Sequence, residues 1–216
     1  MKHFAIVALA AVPTFAQWQW STFGITQDGR SMPTYLRTTP TSVFKVSGDE
    51  VQIENNKSVF MKKSNDWETS AMYKPSLLGG SVSYGMNVSD IDCGCVSGLY
   101  LVQTGADCNE DERTGTPSCP VIEVMQANKS GFNVSASSSC SLKIKEDGVA
   151  KYGKGAYGVN GSIINTNADF DVKTEFISDP DYISVFKLRT TLTQKTRTMM
   201  MEAECDELSS MSSTLD

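Results

Sequence analysis

Histidine is nearly absent from this sequence of 216 residues. The only one, His3, lies within residues 1–16, where a positive start, an apolar run and small residues before Gln17 form the pattern of a secretory signal peptide. Cleavage before Gln17 would leave a chain without histidine. That excludes Ser-His-Asp and Cys-His nucleophile systems and every metal site that needs a histidine ligand. Hydrolytic chemistry would then depend on carboxylates.

Long hydrophobic runs and an excess of positive charge are also missing. The apolar part of the leader is shorter than the roughly 20 residues that a membrane-spanning helix needs, and no later segment qualifies. The formal net charge is −6, and no basic stripe is present that would bind phosphate groups. We therefore expect a secreted, extracellular protein with no membrane or nucleic-acid partner, whose acidic surface suits a neutral substrate such as a glycan.

Helical periodicity is absent from nearly the whole chain, and only residues 199–211 are predicted to be helical. Polar and apolar residues instead alternate with period two, most clearly in 170–176 and 186–192, and turn-forming residues separate such runs. This pattern predicts an all-β fold, an antiparallel β-sandwich or jelly roll. We assign it to residues 17–197, and we expect 198–216 to be a C-terminal segment that is helical or truncated.

Cysteines are few but even in number, which in an exported chain indicates disulfides of undetermined pairing. A zinc site made only of cysteines is the alternative. Sequons of the form N-x-S/T mark candidate N-glycosylation sites in surface loops, as in a glycoprotein. The cysteines are Cys93, Cys95, Cys108, Cys119, Cys140 and Cys205, and the sequon asparagines are Asn56, Asn87, Asn128, Asn133 and Asn160.

One apolar strand carries polar side chains that an ordinary core strand would not. Residues 119–128 read CPVIEVMQAN and include Glu123 and Gln126. Residues two apart on a strand share a face, so these two side chains point to opposite faces unless a β-bulge between them turns Gln126 round. A retaining glycosidase needs two carboxyl groups about 5–5.5 Å apart, one as nucleophile and one as acid/base. A bulged strand of pattern E-x-D-x-x-E supplies them, with the Asp orienting the first Glu.

This strand resembles the catalytic strand C-S-E-M-D-I-W-E-A-N of glycoside hydrolase family 7, the secreted cellulases. Cys119, Ala127 and Asn128 match, and apolar residues fall at three of the family's other apolar positions. The resemblance implies a concanavalin-like jelly roll that acts on, or binds, β-1,4-glucan in polysaccharide degradation. Further segments that resemble the family, in the family's order, lie at 22–32, 76–107 and 151–176.

The same alignment puts other residues at the family's catalytic positions. Val121 stands at the nucleophile, Gln126 at the acid/base, and Glu123 at the middle carboxylate, one methylene longer than the family's Asp. Valine cannot attack an anomeric carbon and glutamine cannot deliver a proton; losing acid/base help alone costs about 10²–10⁴-fold in rate. Glu123 is thus the one candidate catalytic residue. The candidate substrate-binding residues that line the cleft are Tyr100, Gln126 and Asn128.

Three functions fit these residues, and whether the chain is an enzyme stays open. The first is a cellulase-like pseudoenzyme that binds β-1,4-glucan or a related cell-wall polysaccharide, with hydrolysis lost or much reduced. The second is a weakly active β-glucan glycosidase in which Glu123 works with a carboxylate that the family does not use, such as Asp107 or Glu110. The third is a non-catalytic cell-wall or surface glycoprotein. We expect a monomer without cofactor or metal, and a sandwich that is incomplete at its C-terminus because the family's strands continue past the position of Asp216.

Overall fold

The structure is a computed structural model. It describes residues 20–27, 30–38, 44–47, 50–53, 59–62, 79–92, 94–102, 121–135, 141–145, 151–178 and 185–204. All helix-or-strand structure in these residues is β-strand, which confirms the all-β prediction. The strands are β1 (Trp20–Gln27), β2 (Arg30–Thr38), β3 (Phe44–Ser47), β4 (Glu50–Ile53), β5 (Val59–Lys62), β6 (Ser81–Met86), β7 (Ser97–Val102), β8 (Val121–Asn128), β9 (Gly131–Ser135), β10 (Ser141–Lys145), β11 (Tyr157–Gly158), β12 (Ile164–Asn165), β13 (Phe170–Ser178), β14 (Val185–Gln194) and β15 (Arg197–Glu204).

Two four-stranded antiparallel sheets make up the sandwich. The front sheet has the strand order β10-β9-β8-β7, and the back sheet has the order β15-β14-β13-β6. Apolar side chains from both sheets belong to one buried cluster, so the sheets pack face to face as the alternation predicted. The smaller units are a three-stranded sheet β1-β2-β5, the hairpin β3-β4 and the parallel pair β11-β12.

The back sheet follows the predicted alternation closely. On β13, Phe170, Val172, Thr174 and Phe176 are buried, and the residues between them are exposed or half-buried. Neighbouring strands continue each row across the core, because Val172 pairs with Tyr84 on one side and with Leu192 on the other. A period-two sequence therefore becomes a continuous apolar layer whose rows are set by the antiparallel register.

Residues 199–204 form part of strand β15, so the prediction of a helix is wrong for this segment. Met199 and Met201 are buried opposite Leu192 and Thr190, so the segment covers the edge of the back sheet with alternate side chains. Burial of this face outweighs the helical propensity of a Met-, Glu- and Ala-rich run. The rest of the predicted helix, 205–211, lies outside the described residues, and the expected boundary at residue 198 falls within β15.

A well-bonded loop over residues 151–169 joins the two sheets at one end. The Gln194 side-chain nitrogen donates to the carbonyls of Asn165, Ala168 and Asp169, and its oxygen accepts from the Asn165 N–H. Tyr157 projects from this loop beneath the front sheet, where its ring is 1% exposed. The loop is thereby held to the back sheet while it supports the front sheet from below.

The predicted disulfides are not tested by the described residues. Cys95 is an exposed free thiol, and the other five cysteines lie outside the described residues, so their disulfides stay a prediction. In the part of the chain that the structure describes, no helix has the length and hydrophobicity needed to cross a bilayer.

Candidate functional site

Strand β8 contains the β-bulge on which the sequence argument depended. Leu99 and Tyr100 are adjacent on β7, yet they pair with Met125 and Glu123, so β8 has one extra residue between its two partners. The register with β9 shifts in the same place, between Glu123 and Gln126. A bulge of this kind advances one strand by a residue and changes which side chains share a face.

The bulge turns Gln126 to the same face as Glu123. The two residues between them, Val124 and Met125, are 0% and 1% exposed, so both point into the core. Glu123 and Gln126 are half-buried on the side of the front sheet away from the core, which we call the front face. On a regular strand, residues three apart point to opposite faces. The bulge instead places Glu123 and Gln126 on the same face.

Three hydrogen bonds join the polar side chains of the front face. Gln126 Nε2 donates to Glu123 Oε1 at 2.9 Å, and Asn133 Nδ2 on β9 donates to Glu123 Oε2 at 3.0 Å. Gln126 Nε2 also donates to the Tyr100 hydroxyl at 3.1 Å. Each oxygen of the Glu123 carboxylate thus accepts from an amide. Such charge-assisted bonds are stronger than those between neutral groups.

Tyr100 lies across the backbone of Gly98 on β7. A Cβ atom placed on Gly98 would sit 2.4 Å from Tyr100 Cε2 and 2.5 Å from its hydroxyl oxygen, so only glycine allows this ring position. The ring is 40% exposed and presents an apolar surface beside the hydroxyl. Partial burial raises the pKa of Tyr100; the Gln126 hydrogen bond opposes this shift and the Glu123 charge adds to it. The hydroxyl therefore keeps its proton at neutral pH.

Asn128, a predicted substrate-binding residue, is tied to backbone in the structure. Its Nδ2 donates to the Cys95 carbonyl at 3.1 Å, and its Oδ1 accepts from the N–H groups of Ser130 and Gly131. These bonds close the two-residue turn between β8 and β9, and the Tyr157 hydroxyl donates to the Asn128 carbonyl at 2.8 Å. The geometry gives Asn128 a role in holding the turn, and its contact with a ligand stays a prediction.

Asn133 was missed as a site residue and appeared in the sequence only as a sequon. The β8–β9 turn pairs Gln126 with Asn133, which places the Asn133 amide beside Glu123. The sequence did contain a signal for this site residue. Asn133 is the polar residue at the centre of the strand sequence G-F-N-V-S, and a two-residue turn after Asn128 pairs it with Gln126. Asn133 Oδ1 is buried without a hydrogen-bond partner in the described structure, whereas its nitrogen donates to Glu123.

The remaining predicted site residues are described only in part. The Val121 backbone pairs with Val102 at the start of β8, and its side chain lies outside the description. Asp107 and Glu110, the carboxylates suggested as partners for Glu123, also lie outside the described residues. What the described front face offers is one carboxylate acceptor, amide groups and a phenol. These groups can form hydrogen bonds with hydroxyls, and the Gln126 amide cannot act as an acid.

Comparison with known proteins gives structural but not sequence matches. No protein-family model and no curated protein matches the sequence. An endoglucanase I complexed with cellobiose superimposes with a TM-score of 0.61 at 12% identity, over 95% of this chain and 79% of the other. The fold is that of the family 7 cellulases.

Two further cellulase structures agree. A family 7 cellobiohydrolase of Daphnia pulex gives a TM-score of 0.57 at 12% identity, over 97% of this chain and 78% of the other. An endocellulase of Humicola insolens gives 0.56 at 12% identity, over 100% and 80%. At such identities the likeness shows the cellulase-like fold alone, which confirms the predicted jelly roll.

Proposed function

We propose that this chain is a secreted cellulase-like protein that binds a neutral β-1,4-linked glucan on its front face and hydrolyses it very weakly or not at all. The observation that carries the proposal is the hydrogen-bonded group of Tyr100, Glu123 and Gln126. The bulge of β8 keeps these side chains together on one face, although the residue types needed for bond cleavage have been replaced.

The chemistry of these side chains favours binding over cleavage. Gln126 can donate and accept hydrogen bonds but cannot protonate a leaving group. Each oxygen of Glu123 accepts a hydrogen bond from an amide, which stabilises the ionised carboxylate and weakens it as a nucleophile. The exposed Tyr100 ring offers an apolar surface on which the C–H face of a sugar can pack.

Calorimetric titration with cellotetraose tests binding directly. We expect the parent protein to bind and Tyr100→Ala to weaken binding by about tenfold, since it removes both the ring surface and a hydroxyl. Thr191→Ala, on the exposed face of the back sheet, is the matched control and should bind as the parent does. No heat from the parent at high cellotetraose concentration would overturn the proposal.

Restoring the missing carboxyl groups tests the loss of hydrolysis. We expect the double variant Val121→Glu/Gln126→Glu to release reducing sugar from amorphous cellulose, and each single variant to release far less, since a retaining mechanism needs both groups. Parent protein that releases reducing sugar as fast as the double variant would show an active glycosidase. In that case Glu123→Gln would reveal whether Glu123 takes part.

A further inference from the structure

The described hydrogen bonds have a consistent direction across the front face. Asn133 and Gln126 are the donors, and the Glu123 carboxylate is the acceptor for both. An ionised carboxylate has no proton to donate, so it fixes the two amide groups with their nitrogens toward it. Glu123 Oε1 therefore orients the Gln126 amide, and Asn133 holds Oε2 of the same carboxylate.

This arrangement decides what Gln126 and Tyr100 offer to a ligand. Both N–H groups of Gln126 are used, one on Glu123 and one on the Tyr100 hydroxyl. The Gln126 carbonyl oxygen is left to accept a hydrogen bond from outside this group, because both bonds of the amide within it are donated by the nitrogen. The Tyr100 oxygen accepts from Gln126, which leaves its own proton to be donated outward. A sugar hydroxyl, which both donates and accepts, matches this pair.

Asn133 contributes to this arrangement at a cost. Its Oδ1 is buried without a partner in the described structure, and buried polar atoms are rarely left unpaired. Rotating the amide would bring that oxygen against the charged Glu123 carboxylate, which is worse. A side chain selected only for packing would avoid the unpaired oxygen, so the contact with Glu123 accounts for an asparagine at this position.

We infer that Asn133 is a positioning residue that, through Glu123, sets the hydrogen-bond direction of the glucan-binding face, with Tyr100 as outward donor and Gln126 as outward acceptor. The inference rests on the proposed function for the identity of the ligand. The hydrogen-bond network itself is independent of any ligand. Asn133 itself contacts no ligand and acts only through Glu123 and Gln126.

The variant Asn133→Asp gives a test that depends on pH. A protonated Asp can donate to Glu123 as the asparagine does, but two ionised carboxylates this close repel each other, so the pair shares one proton at low pH and loses it at high pH. The titratable residues at neighbouring register positions are Tyr100 on β7 and Lys143 on β10. Neither ordinarily changes its charge between about pH 5 and about pH 8.

We expect Asn133→Asp to bind cellotetraose within about threefold of the parent near pH 5, and at least about tenfold more weakly near pH 8. Asn133→Ala should be weakened about equally at both pH values. The matched control is Asn167→Asp, which adds the same charge on an exposed loop residue and should follow the parent. Equal affinity of Asn133→Asp at both pH values would overturn the inference.

A second measurement needs no ligand and separates the two proposals. The Gln126 side-chain NH₂ group, observed by nitrogen-15 NMR, should be protected from solvent exchange in the parent, and in Asn133→Asp it should lose that protection near pH 8 and keep it near pH 5. A parent that binds no cellotetraose but shows this pH-dependent protection would refute the proposed function and support the positioning role. Protection that does not change with pH in Asn133→Asp would refute the positioning role.

Discussion

The two sheets treat charge on their exposed faces in different ways. On the back sheet, carboxylates meet cations: Glu175 lies 2.6 Å from Lys173 and 3.8 Å from Arg189, and Arg189 also bonds Glu202. That bond with Arg189 is the main reason why the pKa of Glu202 is lowered. On the front sheet, Glu123 accepts hydrogen bonds from the neutral amides of Gln126 and Asn133. Cross-strand ion pairs are an ordinary way to stabilise an exposed sheet surface, whereas hydrogen bonds from amides fix the direction in which a carboxylate points.

The sheets also differ in regularity. Strands β14 and β15 pair without interruption from Lys187 to Arg197, while β8 breaks its register with both of its neighbours. The break lies where the polar side chains of the front face gather. The register of β13 with β14 also shifts, at Ile177/Ser178, but only at the end of the paired segment. The interruption in β8 lies in the middle of its strand and involves both neighbours, which sets the candidate site apart.

The sheets should be alike in one respect, their dependence on the shared core. Phe132 in the front sheet and Phe176 in the back sheet are both 1% exposed. Replacing either by alanine should lower the free energy of unfolding by about 3–5 kcal/mol, through lost burial and a residual cavity. Urea denaturation measures this, with the exposed Val96→Ala as control, expected to change stability by less than about 0.5 kcal/mol. A small loss for Phe132→Ala alone would mean that the front sheet packs less tightly than the back sheet.

A buried hydroxyl pair of the back sheet gives the next largest effect. Thr174 and Thr190 are hydrogen-bonded at 3.0 Å in the core. Thr174→Val leaves the other hydroxyl unpaired and should cost about 1–3 kcal/mol, while the double variant Thr174→Val/Thr190→Val should be close to neutral because both polar groups are removed. The double-mutant cycle in thermal unfolding checks this. A double variant as unstable as the sum of the single changes would contradict it.

Two buried tyrosines compare the sheets more finely. The Tyr84 hydroxyl in the back sheet is buried without a partner among the described residues, and the Tyr157 hydroxyl donates to the Asn128 carbonyl below the front sheet. We expect Tyr84→Phe to raise the free energy of unfolding by about 1 kcal/mol, and Tyr157→Phe to lower it by about 1 kcal/mol. Chemical denaturation at neutral pH checks both signs. Equal signs would show that pairing of the hydroxyl is not what distinguishes them.

The same tyrosines predict a loss of stability in alkali. Burial raises the pKa of Tyr84 and of Tyr157 well above the ordinary tyrosine value of 10.0. Above about pH 10 the unfolded chain loses these protons while the folded chain keeps them, so stability falls by about 1.4 kcal/mol per pH unit for each group. Denaturation at a series of pH values should therefore show a shallower fall in Tyr84→Phe than in the parent.

The smallest effect concerns the ion pairs of the back sheet. Glu175→Gln should cost only about 0.2–1 kcal/mol at low salt, since its partners are partly exposed, and less in about 1 M NaCl, where charges are screened. Thr191→Ala, an uncharged change on the same face, is the control and should respond to salt as the parent does. Thermal melting at two salt concentrations measures both. An equal loss for Glu175→Gln at low and high salt would show that its ion pairs do not set the effect.

Much of the fold followed from local patterns in the sequence. Alternation in 170–176 and 186–192 predicted the back-sheet strands. The polar pair Glu123 and Gln126 within an apolar strand indicated the candidate site, whose role stays a prediction. The prediction failed in 199–204, where a helix-like composition forms β15. Helix propensity describes the isolated segment. In the folded chain, Met199 and Met201 are buried in the core beside β14, and this tertiary burial outweighs the propensity.

The sequence by itself determined the residue types: a chain whose only histidine is His3, apolar positions at period two, and a carboxylate and an amide, Glu123 and Gln126, within an apolar strand. Only the tertiary structure decided that a bulge brings Gln126 beside Glu123, and that Asn133 reaches the same carboxylate from β9. The reason is that a bulge and a strand register are set by pairing between strands and by burial of Val124 and Met125. Neither is encoded in the local spacing of polar residues along one strand.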